Sequence, residues 1–461
     1  MVVQRWLSWV IAAGTVAGTW FYWHHPESRS VATKGAEVSD GPTPGTRLVV
    51  DFRDDVSSAA LADNGYVEIP VSDYSTKDRT YFIDFPTVEA AAAARAKLAA
   101  DPNVESVDFD EQETLPPDEV EAAASDSIEA ECAAGKAQPD ATPNDPCFRY
   151  QWHLSKLGLP DAWKLAAGKG VVVAVIDTGV TKVADLAQTK FVPGYNFVRN
   201  NTNADDDHGH GTHVAGTIAQ STNNKLGVAG VAPEAAIMPL KVLSASGSGS
   251  VGAIAQAIRW AADHGANVIN MSLGGPRGVG TMESAVKYAR DKGVVVVAAA
   301  GNDGRGRVGF PAAYPGVFAV AATQFDDSTT FYSNWGPEID IAAPGGNVRV
   351  DQNGDGQPDG VLQHTVMDAQ PGYRWFMGTS MATPHVAGVA ALVMSAGVRT
   401  PDAVEQLLME TARRPAGGHA GARVDDRYGA GVVDAGAALR KARAGAGVAE
   451  FGLAGALALL G

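Results

Sequence analysis

The chain has 461 residues, 45% hydrophobic and 19% charged, enough for two or three globular domains with a sizeable core. A net charge of −16 with no long basic run excludes the electrostatic footprint of a nucleic-acid binder, so no nucleic-acid partner is expected. Cys132 and Cys147 are the only cysteines, which excludes a disulfide-dense scaffold and a multi-cysteine zinc site; one disulfide and two free thiols both remain open.

At the N-terminus, Arg5 precedes an uncharged stretch from Trp6 to Trp23, followed by His24, His25 and Pro26. A basic start and an apolar continuation describe an export signal. Trp20, Phe21, Tyr22 and Trp23 form a cluster of membrane-interface type, and no small-x-small cleavage site is obvious after it. Residues 1–25 therefore fit either a cleaved signal peptide or an uncleaved anchor that tethers the chain to a membrane through residues 6–23. Both place the bulk of the chain outside the cytoplasm, secreted or periplasmic. Residues 26–45, rich in Ser, Thr, Gly and Pro, read as a linker.

Residues 46–114 read as a small α+β unit. Strands are expected at Arg47 to Phe52, Tyr66 to Val71 and Tyr81 to Phe85, then a helix over Val88 to Ala100 and an alternating strand, VESVDFD. The acidic, alanine-rich stretch over residues 115–143 has few side chains able to pack a core, so an exposed, protease-accessible connector is expected.

Residues 144–443 alternate apolar strands with helices. GVVVAVIDTG, ANVINMSLGG and GVVVVAAAGN are continuous apolar runs ending in turns, the last two preceded by helical segments. That pattern predicts an α/β fold with a mostly parallel sheet covered by helices on both faces, and chemistry beyond the carboxyl ends of its strands. Residues 444–461 form an apolar tail too short to span a bilayer.

Three motifs stand at such positions: Asp177-Thr178-Gly179; His208-Gly209-His210-Gly211-Thr212-His213-Val214-Ala215-Gly216; and Gly378-Thr379-Ser380-Met381-Ala382-Thr383-Pro384-His385-Val386-Ala387-Gly388. Together they supply a carboxylate, an imidazole and a hydroxyl. Serine becomes a strong nucleophile when a histidine removes its proton, and that histidine needs a carboxylate to fix its tautomer and stabilise its charge. Each residue also has a plainer reading. An Asp closing a strand is commonly a turn residue, Asn302 before Asp303-Gly304 makes a turn, and His208, His210 and His213 suit a metal.

The order Asp, His, Ser and the absence of a G-x-S-x-G elbow set the chain apart from α/β-hydrolases. The three motifs resemble the active-site signatures of the subtilase family of subtilisin-like serine proteases. The resemblance implies that Asp177 orients the base, His210 is the general base and acid, and Ser380 is the nucleophile. It gives Asn302 the oxyanion. Ser272, Leu273 and Gly274, with Gly247, Ser248 and Gly249, correspond to the two segments that clasp substrate as an added strand. Residues 46–114 resemble a subtilase propeptide of ferredoxin-like form, a self-processed intramolecular inhibitor, ahead of a subtilisin-like peptidase domain over 144–443. Polypeptide substrates, an acyl-enzyme mechanism and a monomer are implied. The rivals are a metal-dependent hydrolase built on His208, His210 and His213, and an inert peptide-binding pseudoprotease.

Asp303 follows Asn302 and is expected to line the specificity pocket, favouring a basic or large side chain, with Arg305 and Arg307 near enough in sequence to neutralise it. Asp351, Asn353, Asp355 and Asp359 place oxygens at positions 1, 3, 5 and 9 of a calcium-loop pattern with Gly356 at position 6; Leu362 stands where a bidentate Glu belongs. A reduced loop holding structural calcium is expected, and no catalytic cofactor. Asp185 with Asn223 or Asn224 is a second calcium candidate by family resemblance.

Overall fold

The computed structural model describes residues 43–56, 65–115, 121–133, 143–415 and 425–444; the export segment, the linker up to residue 42 and the tail from residue 445 lie outside them. Among the described residues no helix is long and apolar enough to cross a membrane.

Strands β1 (Arg47–Phe52), β2 (Ile69–Pro70), β3 (Thr80–Asp84) and β4 (Val104–Phe109) form an antiparallel sheet in the order β2-β3-β1-β4. Helix α1 (Val88–Leu98) begins where the Thr87 side chain accepts the Ala90 N–H. It lays Ala91, Ala94 and Leu98 on Leu48, Val50 and Ile83 of one sheet face. This is the α+β unit that the sequence pattern implied, in the ferredoxin-like form that the family resemblance implied. Strand β5 (Gln112–Thr114) then leaves the sheet.

The acidic connector departs from expectation. Its described part forms strand β6 (Glu121–Ala123) and helix α2 (Asp126–Ala133) rather than an exposed, irregular link. Ile128 and Cys132, one helical turn apart, are buried, and Cys132 is disulfide-bonded to Cys147. Glu129 accepts from the Tyr373 N–H and the Arg374 guanidinium. One apolar side chain, one disulfide and one carboxylate thus fix a helix that composition alone assigns to solvent.

The body carries a parallel sheet built from β7 (Val172–Asp177), β8 (Lys190–Phe191), β9 (Tyr195–Asn196), β10 (Ala236–Lys241), β12 (Val268–Met271), β13 (Val295–Ala299), β14 (Phe318–Thr323) and β15 (Ile341–Pro344). Its order is β15-β14-β13-β12-β7-β10-β8, with β9 also beside β10. Alternation along β7 sends Val173 and Val175 to one face and Ala174 and Ile176 to the other. The first face packs on α3 (His210–Ala219) and α6 (Thr379–Ser395), and the second on α4 (Val251–Asp263) and α5 (Gly280–Asp291). Burial on both sides is why these strands read as unbroken apolar runs. Strand β11 (Ser248–Ser250) precedes α4, and β16 (Val361–Met367) with β17 (Gln370–Phe376) makes a hairpin whose free edge takes β6 as a third strand.

The N-terminal sheet lays its second face on α4 and α5, with Val49 and Phe82 against Gly252. Asp108 accepts from the backbone and hydroxyl of Thr281 at the start of α5, at 2.9 and 3.0 Å. Asp110 accepts from Ser250 and from the Gly252 N–H at the start of α4. Carboxylates at both helix N-termini oppose the positive dipole ends.

Candidate active site

The sheet positions the site through its central strands. Adjacent strands β7, β12 and β13 end at Asp177, at Met271 just before Ser272, and three residues before Asn302, so these groups emerge together at the carboxyl edge. His210 opens α3 and Ser380 is the second residue of α6, and these two helices pack against each other.

Asp177 and His210 are buried, and His210 Nδ1 lies 2.7 Å from Asp177 Oδ1, which also accepts the Thr178 N–H at 2.7 Å. With Nδ1 on the carboxylate, proton exchange with a nucleophile falls to Nε2. Sequence reasoning missed what sets this turn: Asp206 accepts from the backbones of His208, Gly209 and Thr212 and from the Thr212 hydroxyl. Its place at the start of the histidine motif, ahead of a helix, was the available signal.

Ser380 Oγ donates to the Ser272 carbonyl at 3.2 Å, while Ser272 Oγ donates to the Ser380 carbonyl at 2.7 Å. Asn302 Oδ1 accepts from the Thr379 N–H and hydroxyl at 2.9 and 2.8 Å. That fixes the amide orientation, and Nδ2 is a buried donor without a protein acceptor. Asn302 and Ser380 line one cavity of about 220 Å³. An orphaned amide donor beside a helix N-terminus is an arrangement that stabilises developing negative charge.

A strand of the chain itself lies between the two segments expected to clasp substrate. Strand β5 pairs antiparallel with β11, matching Thr114 to Ser248, Glu113 to Gly249 and Gln112 to Ser250. Leu115 N–H continues to the Gly247 carbonyl at 2.8 Å, and Thr114 bridges Gly274 on the other side. Leu273 is buried beneath, and Gly274 has no room for a side chain, since a Cβ there would sit 2.5 Å from the Phe310 carbonyl. Glu113 is buried against Gly275, and burial, reinforced by Glu111, pushes its carboxyl up to about 7.

The histidines of the second motif do not converge. Buried His213 places Nε2 at 3.0 Å from the Val361 carbonyl and stacks on Phe376, and burial pulls its imidazole down to about 3. Among the described residues no three His, Cys, Asp or Glu side chains are grouped to hold a metal. The expected calcium loop instead turns its oxygens onto itself. Asp351 accepts the N–H groups of Gly354, Asp355 and Gly356, Asn353 that of Asp355, and Asp355 that of Gln357. One observation suits a cation: Asp359 is fully buried, and its Oδ1 has no partner. At the second candidate, Asp185 Oδ1 accepts Asn224 Nδ2 at 2.7 Å.

Asp303 does line the cavity, together with Arg305 and Arg307. Its carboxylate is taken by Arg305 at 2.9 Å and by Asn334 Nδ2 at 3.2 Å, so the expected bias toward basic side chains loses its source. Asn334, unmarked by any motif, also accepts from the backbones of Asp303 and Arg305 and donates to the Ala300 carbonyl.

Residues 168–431 match the subtilase family, peptidase S8. Thermitase of Thermoactinomyces vulgaris is 43% identical over 278 residues, covering 60% of this chain and 93% of that one. The extracellular protease of Xanthomonas campestris is 38% identical over 394 residues, covering 75% of this chain and 61% of that protein. Fervidolysin from Fervidobacterium pennivorans, described as a keratinolytic enzyme related to subtilisin, superposes with a TM-score of 0.68 at 27% identity, over 88% of this chain and 62% of that one. A match over more than half of the chain, on this sheet and this constellation of side chains, makes it a member of the subtilase family and a subtilisin-type serine endopeptidase.

Proposed function

We propose that the chain is exported as a zymogen whose own N-terminal unit, residues 46–114, blocks the cleft until self-cleavage releases it. The observation that carries this reading is the docking of β5 between β11 and Gly274, where an extended substrate would add as a strand. Export is supported by the basic, apolar start of the sequence and by similarity to a protein named for its extracellular location.

In the proposed reaction His210 Nε2 takes the Ser380 proton as Oγ attacks the scissile carbonyl. Asn302 Nδ2 and the Ser380 backbone N–H meet the oxyanion, with the α6 dipole behind them. Asp177 holds the imidazolium. His210 then protonates the departing amine, and water repeats the sequence on the acyl-enzyme.

Calcium is proposed as a structural ion. Asp351, Asn353, Asp355 and Asp359 would hold it once their oxygens exchange backbone amides for the cation, and it would stiffen the loop that precedes β16.

Ser380→Ala decides the main reading. The variant should persist as an unprocessed precursor, fail to hydrolyse casein and resist a fluorophosphonate probe that labels the parent protein. Normal maturation of that variant would overturn the assignment. Mass spectrometry of the mature termini separates a cleaved signal from a retained anchor.

A further inference from the structure

The cavity beside Ser380 is lined mostly by uncharged residues, with three charged side chains among them. Leu273 to Pro276 form one wall, and Gly301, Val308 and Gly309 contribute to the other. The ionisable groups lining it are Asp303, Arg305 and Arg307. Arg305 and Asp303 pair with each other, which cancels one charge of each sign. Arg307 donates to the carbonyl of Pro276, another residue of the same lining. A carbonyl satisfies the donor without neutralising the cation, so the lining keeps a net positive charge. This stands out on a chain of net charge −16. A further arginine, Arg277, adjoins the same wall and lies 3.4 Å from Glu111 of the segment leading into β5, so the chain already brings a carboxylate to this cationic rim.

We propose that Arg307 makes this pocket select an acidic side chain on the residue that supplies the scissile carbonyl. The proposal rests on the endopeptidase reading and specifies its substrate class. A glutamate entering the pocket meets a guanidinium already fixed in its lining. A lysine or arginine meets a like charge, because Asp303 is occupied. The effect is that of a partly exposed ion pair, so it is modest and weakened by salt.

The test compares two peptides that differ only in Glu or Gln before the scissile bond, which isolates charge from shape. The mature enzyme should show a Glu-to-Gln ratio of kcat/KM of about five at low ionic strength, falling toward one in about 1 M salt. Arg307→Gln should bring the ratio to about one. Asp303→Asn, by releasing Arg305, should raise it. A parent ratio at or below one, or an undiminished ratio in Arg307→Gln, overturns the proposal. Should Arg307→Gln fail to mature, the Asp303→Asn and salt measurements decide, and indifference of the ratio to both is equally fatal. Cleavage of neither peptide, with no fluorophosphonate labelling of Ser380, sinks the endopeptidase reading instead; equal cleavage of both sinks only the selectivity.

Discussion

Ser272 and Ser380 hold each other by reciprocal hydrogen bonds, the hydroxyl of each donating to the carbonyl of the other at 2.7 and 3.2 Å. The shorter bond has a covalent origin. Pro384, four residues along α6, has no N–H to give the Ser380 carbonyl, which therefore needs another donor. Ser272→Ala leaves that buried carbonyl unmet, and we expect about 1 kcal/mol lower stability together with a several-fold fall in kcat. Thermal unfolding and peptide hydrolysis would check it; unchanged values for both would show that the pair is idle.

Asn302→Leu removes the orphaned amide donor and, with it, the Oδ1 acceptor of the Thr379 N–H and hydroxyl. The expected result is a fall in kcat of about 10²–10³ with little change in KM, because the bond forms to the oxyanion rather than to bound substrate. Equal effects on kcat and KM would move Asn302 from the transition state to simple binding.

Docking of the N-terminal unit should weaken as pH rises. The docked Glu113 carboxyl titrates near 7, above its ordinary range, because docking buries it. A proton held more tightly in the docked form stabilises docking fully below the free carboxyl's range, and that contribution is lost as pH climbs through 7. Buried Asp51 and Asp78, which face α4 and are raised to about 7 and about 6, act in the same direction. One proton gives at most about tenfold weaker inhibition per pH unit. Glu113→Gln should flatten the profile of activation rate against pH between about 5 and 7, and a profile as steep as the parent's would count against this carboxyl.

The Cys132–Cys147 link closes a loop with a sequence separation of 15 and should contribute about 3 kcal/mol. Replacing both cysteines with serine should lower the denaturation midpoint by a corresponding amount. In the parent protein, non-reducing mass spectrometry should find residues 121–133 still joined to the mature enzyme; their loss without reductant contradicts the link.

Calcium at the Asp351–Asp359 loop would stabilise the fold in proportion to occupancy, by about 2.7 kcal/mol at a hundredfold excess over Kd. Asp359→Asn should abolish the calcium-dependent part of the melting temperature. Persistence of that part would direct attention to Asp185 and Asn224.

Much of this molecule was legible because the residues carrying it have few substitutes. Val173, Val296 and their neighbours read as buried parallel strands because both faces of the sheet are covered. Asp177, His210 and Ser380 read as chemistry because all three motifs occur together and in order. Other features were hidden for physical reasons. The fixing of α2 depends on Ile128, Cys132 and a cysteine in another segment, within a tract whose average composition is that of a solvated chain. Asp108 sits on the polar side of an alternating strand, and sequence carries no sign that this side meets α5 rather than water. Asn334 acts through four polar contacts around Asp303 and Ala300, a role that no spacing announces.

The sulfur bridge also makes the order of proteolytic events matter. A nick on the carboxyl side of Cys132 opens the backbone without freeing anything upstream, since the severed piece stays leashed through Cys147. A cut ahead of β6 yields fragments of unequal fate, one retained only by reversible contacts and the other covalently secured beside β17. Only the first can diffuse away, so liberation of the cleft is directional.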